Sequence, residues 1–285
     1  MKEAGNSTLF DPSMAGYKSH YMDVDGINTH YIEVGSGEPL VLIHGGGPGA
    51  DCYGNWYKCL PEFAKNYHCF AVDMLGFGRT DKPNPENFLY SQDARTKHMT
   101  GFLQGLPFES VNLIGNSMGG LTSLCVARTQ PELVKKLILM GAAGIKPSEI
   151  SPALATLLSY DGTREGMRRV VDTLTHEEFE VDDALLDYRV ELSLDPQAKL
   201  AQAAAMGWVK EQGGLFVEED FIAGLTTPTF IIGGKNDSIV TPHQIFKFSE
   251  LIEQAPTHLV PNCGHWVMME WPEEFVDLSV RFLRS

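Results

Sequence analysis

The chain has 285 residues, of which 43% are hydrophobic, enough to bury the core of one large domain or of a domain with an insert. Its 22 Lys and Arg stand against 37 Asp and Glu, a formal net charge of −15, so nucleic acid and anionic membrane surfaces are not expected partners. Five scattered cysteines without a CxxC pair argue against a disulfide framework and a zinc site and favour a reducing cytoplasm, and no apolar run is long enough for a signal peptide or a membrane span.

The first predicted elements form an antiparallel edge. Residues 1–18 mix Gly, Ser, Asn and Pro and are expected to form a loose N-terminal arm. Strands are predicted around residues 21–24 and 29–34, joined at Asp25-Gly26, a dipeptide suited to a tight hairpin turn. The all-apolar run Leu40–Ile43 is typical of a strand that is covered on both faces.

Strands and helices alternate along the rest of the core. Further buried strands are predicted at residues 69–72, 111–114, 137–140, 229–232 and 257–260, and helices at residues 56–66, 92–103, 121–128, 242–252 and 272–283. This alternation predicts an α/β protein with a mostly parallel central sheet flanked by helices on both faces.

After the strand at residues 137–140, helical periodicity without strands continues for about seventy residues. Helices are predicted there from Asp161 or Thr163 to Leu174, from Val181 to Leu194, and from the N-cap pair Asp195-Pro196 to Val209. We interpret this stretch as a helical lid inserted before the last two core strands. The predicted boundaries are 1–146 for the first part of the core, 147–211 for the lid and 212–285 for the second part of the core.

The stretch around Ser117 carries the first chemical signal. An apolar strand breaks into Gly115-x-Ser117-x-Gly119, and a helix is predicted after it. This arrangement is a nucleophile elbow, in which the serine occupies a strained turn and the glycines let strand and helix cross closely. The bare pattern also arises by chance in a glycine-rich chain, so the functional interpretation depends on the strand, the helix and the partners downstream.

A serine nucleophile needs a base, and the base needs an acid that fixes its tautomer. In elbow-type hydrolases the order along the chain is serine, acid, histidine. Asp237 lies in the loop after the strand at 229–232, and His265 lies in the loop after the next strand. His243 and His258 are alternative bases, but one begins a predicted helix and the other lies inside a strand, and Asp237 could instead be a turn aspartate.

Acyl chemistry also requires N–H donors where negative charge develops. One is expected to be the backbone N–H of Met118, immediately after the nucleophile, and the other an N–H of the glycine-rich loop from His44 to Gly49. His44 itself is interpreted as a structural residue at a strand end. A phosphate-binding loop is disfavoured because the Gly-Lys-Ser/Thr ending is absent.

Several of these stretches together resemble one enzyme family. The chain resembles the α/β-hydrolase fold and, within it, the bacterial meta-cleavage product hydrolases, which hydrolyse C–C bonds in aromatic degradation. The matching positions span nearly the whole chain, with the weakest match in the insert: 44–50, Asn55, 73–78, 115–120, 137–141, Asp237 and 263–266.

The resemblance implies roles for individual residues. It implies that Ser117, Asp237 and His265 form the catalytic triad. It further implies oxyanion donors at Gly46 and Met118 and a substrate-binding group made of Gly45, Asn55, Asn116, Arg189 and Trp266. From the sequence alone, Arg189 could instead be a solvated helix residue with carboxylates nearby, and Trp266 could serve packing.

The implied substrate is a 2-hydroxy-6-oxo-hexa-2,4-dienoate, a small acidic molecule, cleaved to 2-hydroxypenta-2,4-dienoate and a carboxylic acid without metal or organic cofactor. The resemblance also implies a homo-oligomer. The main alternative is a carboxylesterase or lactonase with the same triad, and a second is a ligand receptor with little turnover. Dehalogenases and epoxide hydrolases are disfavoured because Ser117 stands where their pattern has aspartate. The C6 substituent, whether alkyl, phenyl or aminophenyl, stays open.

Overall fold

The protein is built around a central sheet of eight strands. The computed structural model describes residues 12–147 and 152–285, and most of the predicted N-terminal arm lies outside these ranges. The strands are β1 (Lys18–Val24), β2 (Ile27–Gly35), β3 (Glu38–Ile43), β4 (Tyr67–Val72), β5 (Val111–Asn116), β6 (Val134–Met140), β7 (Thr229–Gly234) and β8 (Thr257–Val260). Their spatial order is β1-β2-β4-β3-β5-β6-β7-β8.

The sheet is antiparallel at one edge and parallel elsewhere, as predicted. β1 pairs with β2 and β2 with β4 in antiparallel fashion, whereas β4, β3, β5, β6, β7 and β8 pair in parallel. The predicted hairpin turn is confirmed, with φ of 52° at Asp25 and 81° at Gly26, as a two-residue hairpin of mirror-image turn type requires.

The helices cover both faces of this sheet. They are α1 (Cys52–Trp56), α2 (Leu60–Phe63), α3 (Gln92–Gly105), α4 (Met118–Thr129), α5 (Pro152–Leu158), α6 (Arg164–Leu174), α7 (Asp183–Leu194), α8 (Pro196–Gln212), α9 (Glu219–Ala223), α10 (Pro242–Leu251), α11 (Val267–Glu270) and α12 (Pro272–Arg284). None of the helices in the described ranges is both long and apolar enough to cross a membrane.

Alternate side chains of the central strands pack in two hydrophobic cores, one on each face of the sheet. Along β3, Leu40 and Leu42 belong to one core, and Val41 and Ile43 belong to the other. All four are fully buried because side chains alternate along a strand and helices cover both faces. The all-apolar runs in the sequence are therefore strands buried on both sides, and the predicted α/β class with a mostly parallel central sheet is confirmed.

The prediction of one helix over residues 56–66 was wrong. The structure has two short helices there, α1 and α2, separated by three residues. Pro61 lies in the first turn of α2, where its missing N–H costs nothing. In the interior of a longer helix the same proline would have removed a hydrogen bond and clashed with the preceding turn.

Four helices, α5 to α8, follow β6 and precede the last two strands, as predicted for the insert. Thr163, not Asp161, caps α6, accepting a hydrogen bond from the N–H of Gly166 at 2.9 Å. Asp195 caps α8 by accepting from Ala198 at 2.8 Å. The cap signals in the sequence therefore located these two helix starts, whereas α5 was missed although Pro152 is its first residue.

Candidate active site

Ser117 lies at the sharp turn between β5 and α4. Its φ of 53° and ψ of −118° are unusual for a residue other than glycine. A Cβ at Gly119 would lie 2.3 Å from the carbonyl oxygen of His44, and one at Gly115 would lie 2.5 Å from that of Gly119. Only glycines allow the strand and the helix to approach this closely, so the turn has the geometry of a nucleophile elbow.

Asp237 and His265 come together because they follow β7 and β8, which are adjacent parallel strands. Asp237 Oδ2 lies 2.7 Å from His265 Nδ1, and both residues are buried, at 3% and 2% exposure. The other carboxylate oxygen of Asp237 accepts the N–H groups of Ile239 and Val240 at 2.8 and 2.9 Å. The carboxylate is thereby held in place and orients the imidazole.

The strand β6, which lies between β5 and β7, brings this pair to the elbow. The backbone N–H of Ser117 donates to the carbonyl of Met140 at 3.1 Å, and the backbone carbonyl of Ser117 accepts from the N–H of Ala143 at 3.0 Å. Gly141, one of the two residues between these anchors, faces the other two groups: a Cβ there would lie 3.1 Å from His265 Nδ1 and 3.4 Å from Asp237 Oδ2. The structure thus gathers all three predicted triad residues at one edge of the sheet.

The two alternative histidines have other surroundings. His258 Nε2 lies 3.3 Å from a carboxylate oxygen of Glu274. His243 lies in the first turn of α10 and lines a cavity, whereas the Asp237 carboxylate bonds to His265 and to the N–H groups of Ile239 and Val240. Of the three candidate bases, His265 is the one that the structure pairs with the predicted acid.

Gly46 and Met118, the predicted oxyanion donors, line the same cavity as Ser117. A Cβ at Gly46 would lie 2.7 Å from the Met118 side chain, so the glycine loop packs directly on the start of α4. Within the described part of the chain, neither backbone N–H donates a hydrogen bond. Two free N–H groups beside the serine are the arrangement that stabilises an oxyanion.

His44 holds the glycine loop in place. Its Nδ1 donates to the carbonyl of Gly45 at 2.6 Å, and its Nε2 accepts the N–H of Met74 at 2.9 Å. Burial lowers the pKa of the ring, which keeps it neutral with both nitrogens in use. This agrees with the interpretation of His44 as a structural residue.

Arg189 is buried, which excludes the alternative of a solvated helix residue. It is 1% exposed, its Nη2 donates to the carbonyl of Pro48 at 2.7 Å, and its guanidinium lies 5.1 Å from the ring centroid of Trp266. Burial lowers the pKa of Arg189 to about 10. Among the described residues it forms no salt bridge with a carboxylate, although the buried Asp51 attracts its charge from a greater distance. Its Nε also has no hydrogen-bond partner there, so the guanidinium can accept a direct anionic partner.

Three buried polar atoms in this region lack a hydrogen-bond partner among the described residues: Asn55 Nδ2, Asn116 Oδ1 and Arg189 Nε. The other ends of the two amides are anchored, since Asn116 Nδ2 donates to the Met140 carbonyl at 3.2 Å and Asn55 Oδ1 faces the Gly45 N–H at 3.4 Å. Buried polar atoms are rarely left unpaired in proteins. The free atoms therefore offer both donors and an acceptor to a polar ligand group.

A cavity of about 860 Å³ opens beside Ser117, and Arg189, Asn55 and Asn116 are not among the residues that line it. Its walls come from the loops after β6 and β7 and from the insert, including Ala143, Ile145, Ile239, Val240, Leu154, Leu157 and Met206. Other apolar residues of the insert lie elsewhere: Met167, Leu174, Leu185 and Leu186 pack in the core, and Leu158 is 43% exposed. The loop residues were missed because loops carry no periodic signal.

One group of metal-ligand type occurs among the described residues: His30, Cys52 and Asp73, all buried. His30 Nδ1 lies 2.7 Å from Asp73 Oδ2, and Asp73 also accepts the N–H groups of Cys52 at 2.7 Å and Arg79 at 2.8 Å. These hydrogen bonds occupy both carboxylate oxygens. The cluster is therefore a hydrogen-bonded part of the core.

Comparisons with known proteins agree with this geometry. A family model described as the alpha/beta hydrolase fold matches residues 38–272. The chain is 41% identical over 276 residues to a 2-hydroxy-6-oxo-6-(2'-aminophenyl)hexa-2,4-dienoic acid hydrolase from Metapseudomonas resinovorans, covering 96% of this chain and 94% of that protein.

Two solved structures are closely similar. A serine hydrolase involved in carbazole degradation superposes with a TM-score of 0.87 at 40% identity, covering 94% of this chain and 99% of that one. A meta-cleavage product hydrolase from Pseudomonas fluorescens gives a TM-score of 0.87 at 32% identity, covering 93% and 97% of the two chains. With its fold, its elbow and these relatives, the chain belongs to the meta-cleavage product hydrolases of the α/β-hydrolase fold.

Proposed function

We propose that this protein hydrolyses the C5–C6 bond of a 2-hydroxy-6-oxo-hexa-2,4-dienoate. The observation that carries the proposal is Arg189, a buried cation without a salt bridge among the described residues, on the side of the elbow where Asn55 and Asn116 also have free polar atoms. A carboxylate is the group that a buried guanidinium binds best. An ester hydrolase with the same triad would not require an anionic substrate.

In this proposal Arg189, Asn55 and Asn116 bind the carboxylate and 2-hydroxyl end of the dienoate, with Gly45 and Trp266 completing the pocket. The stack on Trp266 and the bond to the Pro48 carbonyl hold the guanidinium, while Nε stays available. The positive charge also overcomes the repulsion that a net charge of −15 exerts on an anion.

The chemistry begins with tautomerisation, because the departing carbon needs a conjugated ketone to accept its electron pair. In the keto form, Ser117 Oγ adds to the C6 carbonyl while His265 accepts its proton, oriented by Asp237. The N–H groups of Gly46 and Met118 stabilise the oxyanion.

Collapse of this intermediate breaks the C5–C6 bond. The electron pair moves onto C5 and into the conjugated system, which takes up a proton and leaves as 2-hydroxypenta-2,4-dienoate. Water, activated by His265, then attacks the acyl group on Ser117, and a carboxylic acid departs as the serine regains its proton. Overall, one water is consumed for each bond broken.

The 860 Å³ cavity next to Ser117 is proposed to hold the C6 substituent, and we propose that this substituent is an aryl group. Most of its lining is apolar, which suits a ring, although Lys146, Lys247 and Glu250 also line it. Its volume lies in the upper part of the range of about 300–1,000 Å³ typical of ligand pockets. The relative with 41% identity carries an aminophenyl substrate in its name, which supports the same choice.

The proposal is tested by following the visible absorbance of dienoates with 6-aminophenyl, 6-phenyl and 6-methyl groups. The purified protein is expected to bleach them, fastest for the aryl substrates, and Ser117→Ala is expected to reduce the rate by about three orders of magnitude or more. Hydrolysis of simple aryl esters without bleaching would instead identify a carboxylesterase or lactonase. Absence of both reactions would indicate a binding protein.

The remaining expectations concern the whole molecule. We propose that the insert, with boundaries at residues 147–211, serves as a lid over the site, and that the protein is a cytoplasmic homo-oligomer. All five cysteines are free and buried, which supports a reducing compartment. Light scattering coupled to gel filtration tests the oligomeric state, and a monomeric mass would contradict it.

A further inference from the structure

Asp51 is a fully buried carboxylate at the start of α1. Its Oδ1 accepts the N–H of Gly54 at 2.7 Å and so caps the helix, and its Oδ2 accepts the hydroxyl of Tyr188. Burial and the nearby carboxylate of Asp73 raise the pKa of Asp51 to about 7. A buried ionisable group is costly to maintain, which makes its placement informative.

The hydroxyl comes from α7, so this hydrogen bond links the insert to the core across 137 residues of chain. The Tyr188 ring also packs edge-on against Tyr53 of α1, with centroids 6.2 Å apart. Gly49, two residues before Asp51, lies against the backbone of Arg189, the residue after Tyr188. A Cβ at Gly49 would lie 2.0 Å from the carbonyl oxygen of Arg189. Helix α7 is therefore seated directly on the loop that leads into α1.

Each partner of this bond lies close in sequence to a proposed substrate-binding group. Asp51 caps the helix that carries Asn55, which is buried and has a free Nδ2. Tyr188 immediately precedes Arg189, whose Nη2 reaches back to the Pro48 carbonyl at 2.7 Å. A shift of α7 relative to α1 would change the separation of Asn55 and Arg189.

We infer that Asp51 and Tyr188 are a pair of positioning residues that set the distance between Asn55 and Arg189 and seat the insert on the core. This inference rests on the proposed function of Arg189 and Asn55 in binding the carboxylate end of the dienoate. The pair touches no reacting atom. It acts because a two-donor contact to one buried carboxylate fixes both helices in one arrangement.

The test compares two substrates in Tyr188→Phe, which removes the hydroxyl and keeps the ring. The KM for a 6-aryl dienoate is expected to rise about tenfold with kcat changed less than about threefold, as for loss of substrate binding. Hydrolysis of p-nitrophenyl acetate, which has no carboxylate for Arg189, is expected to stay within about twofold. The matched control is Tyr90→Phe, which removes a hydroxyl bonded at 2.8 Å to the Pro83 carbonyl outside α7, and it is expected to change neither reaction.

A second pair of variants separates positioning from general stability. Asp51→Asn keeps an acceptor for Gly54 and a polar group for Tyr188 and is expected to retain the wild-type KM within about threefold, whereas Asp51→Ala is expected to resemble Tyr188→Phe. Equal losses for both substrates in Tyr188→Phe would overturn the inference, as would an unchanged KM for the dienoate.

Amide hydrogen exchange gives an answer that does not depend on turnover. Residues 183–194 are expected to exchange about tenfold faster in Tyr188→Phe than in Tyr90→Phe. Unchanged exchange would overturn the inference even if the dienoate is cleaved. If the wild type cleaves no dienoate, the proposed function fails, and exchange in α7 still decides whether the pair seats the insert.

Discussion

Replacing Arg189 by methionine tests whether this buried cation binds the carboxylate of the substrate. The lowering of the pKa of Arg189 from 12.5 to about 10 corresponds to a cost of about 3 kcal/mol for holding the charge in this environment, at about 1.4 kcal/mol per pH unit. Methionine removes that cost and also removes the hydrogen bond to Pro48 and the stack on Trp266, which together contribute a similar amount.

Arg189→Met is therefore expected to change the free energy of unfolding by no more than about 1–2 kcal/mol, whereas breaking a buried ion pair costs about 3–5 kcal/mol. The free-energy effect on the dienoate reaction should be somewhat larger than the effect on stability. A hydrogen bond to a charged group is worth about 1.5–3 kcal/mol, so kcat/KM for the dienoate should fall about 10- to 150-fold. Hydrolysis of a neutral aryl ester should change little.

The measurements are urea unfolding and steady-state kinetics on both substrates, with Arg95→Met as the matched control. Arg95 is also 1% exposed, donates to one backbone carbonyl, that of Tyr90 at 3.1 Å, and faces Trp208 at 5.5 Å. It differs from Arg189 in a further bond to Gln92 Oε1 at 3.4 Å. It lies outside the site, so its replacement should leave the ratio of the two activities unchanged. A large loss of stability in Arg189→Met with parallel loss of both activities would refute the reasoning.

Three further outcomes are expected. Gly141→Ala should lower kcat about 10- to 100-fold, because a Cβ there lies 3.1 Å from His265 Nδ1 on a backbone with φ of 50°. Met206→Trp should narrow the cavity and lower the kcat/KM of a 6-phenyl relative to a 6-methyl dienoate by about tenfold. Asp51→Asn should become more stable relative to the wild type as pH rises. Burial and Asp73 raise the pKa of Asp51 from 3.8 to about 7 in the folded wild type. The wild type therefore loses the stability contributed by neutral Asp51 as pH rises towards and through about 7, whereas asparagine does not titrate. Urea unfolding from about pH 5.5 to about pH 8 should show a relative gain of about 2 kcal/mol.

Each of these outcomes has a control or a contradicting result. Gly26→Ala places the same strain, at φ of 81°, where nothing lies within 4 Å, so it should lose some stability and no activity; equal kinetic losses would show that strain alone matters. If Met206→Trp leaves the ratio of kcat/KM for the 6-phenyl and 6-methyl dienoates unchanged, the cavity does not bind the C6 substituent. A stability difference for Asp51→Asn that is independent of pH would show that Asp51 does not titrate in this range.

The elbow at Ser117 and the meeting of Asp237 with His265 were accessible from the sequence because their signals are local. A Gly-x-Ser-x-Gly turn between an apolar strand and a helix specifies its own geometry. The loops that carry Asp237 and His265 follow parallel strands, and parallel strands end at the same edge of a sheet, so proximity follows from topology. Helix starts at Thr163 and Asp195 were found for the same reason, since a cap is a property of a few neighbouring residues.

The environment of Arg189 was decided by the tertiary structure alone. The flanking carboxylates of Asp187 and Glu191 suggest a solvated helix, and burial arises because α7 packs on the loop at Gly49 and the guanidinium lies against Trp266. The Asp51–Tyr188 contact and the cavity walls after β6 and β7 depend likewise on segments far apart in the chain. Short sequence motifs specify the nucleophile turn and the helix caps, because these depend on a few neighbouring residues. Burial, the lack of a salt bridge at Arg189 and the shape of the cavity result from packing between segments far apart in the chain.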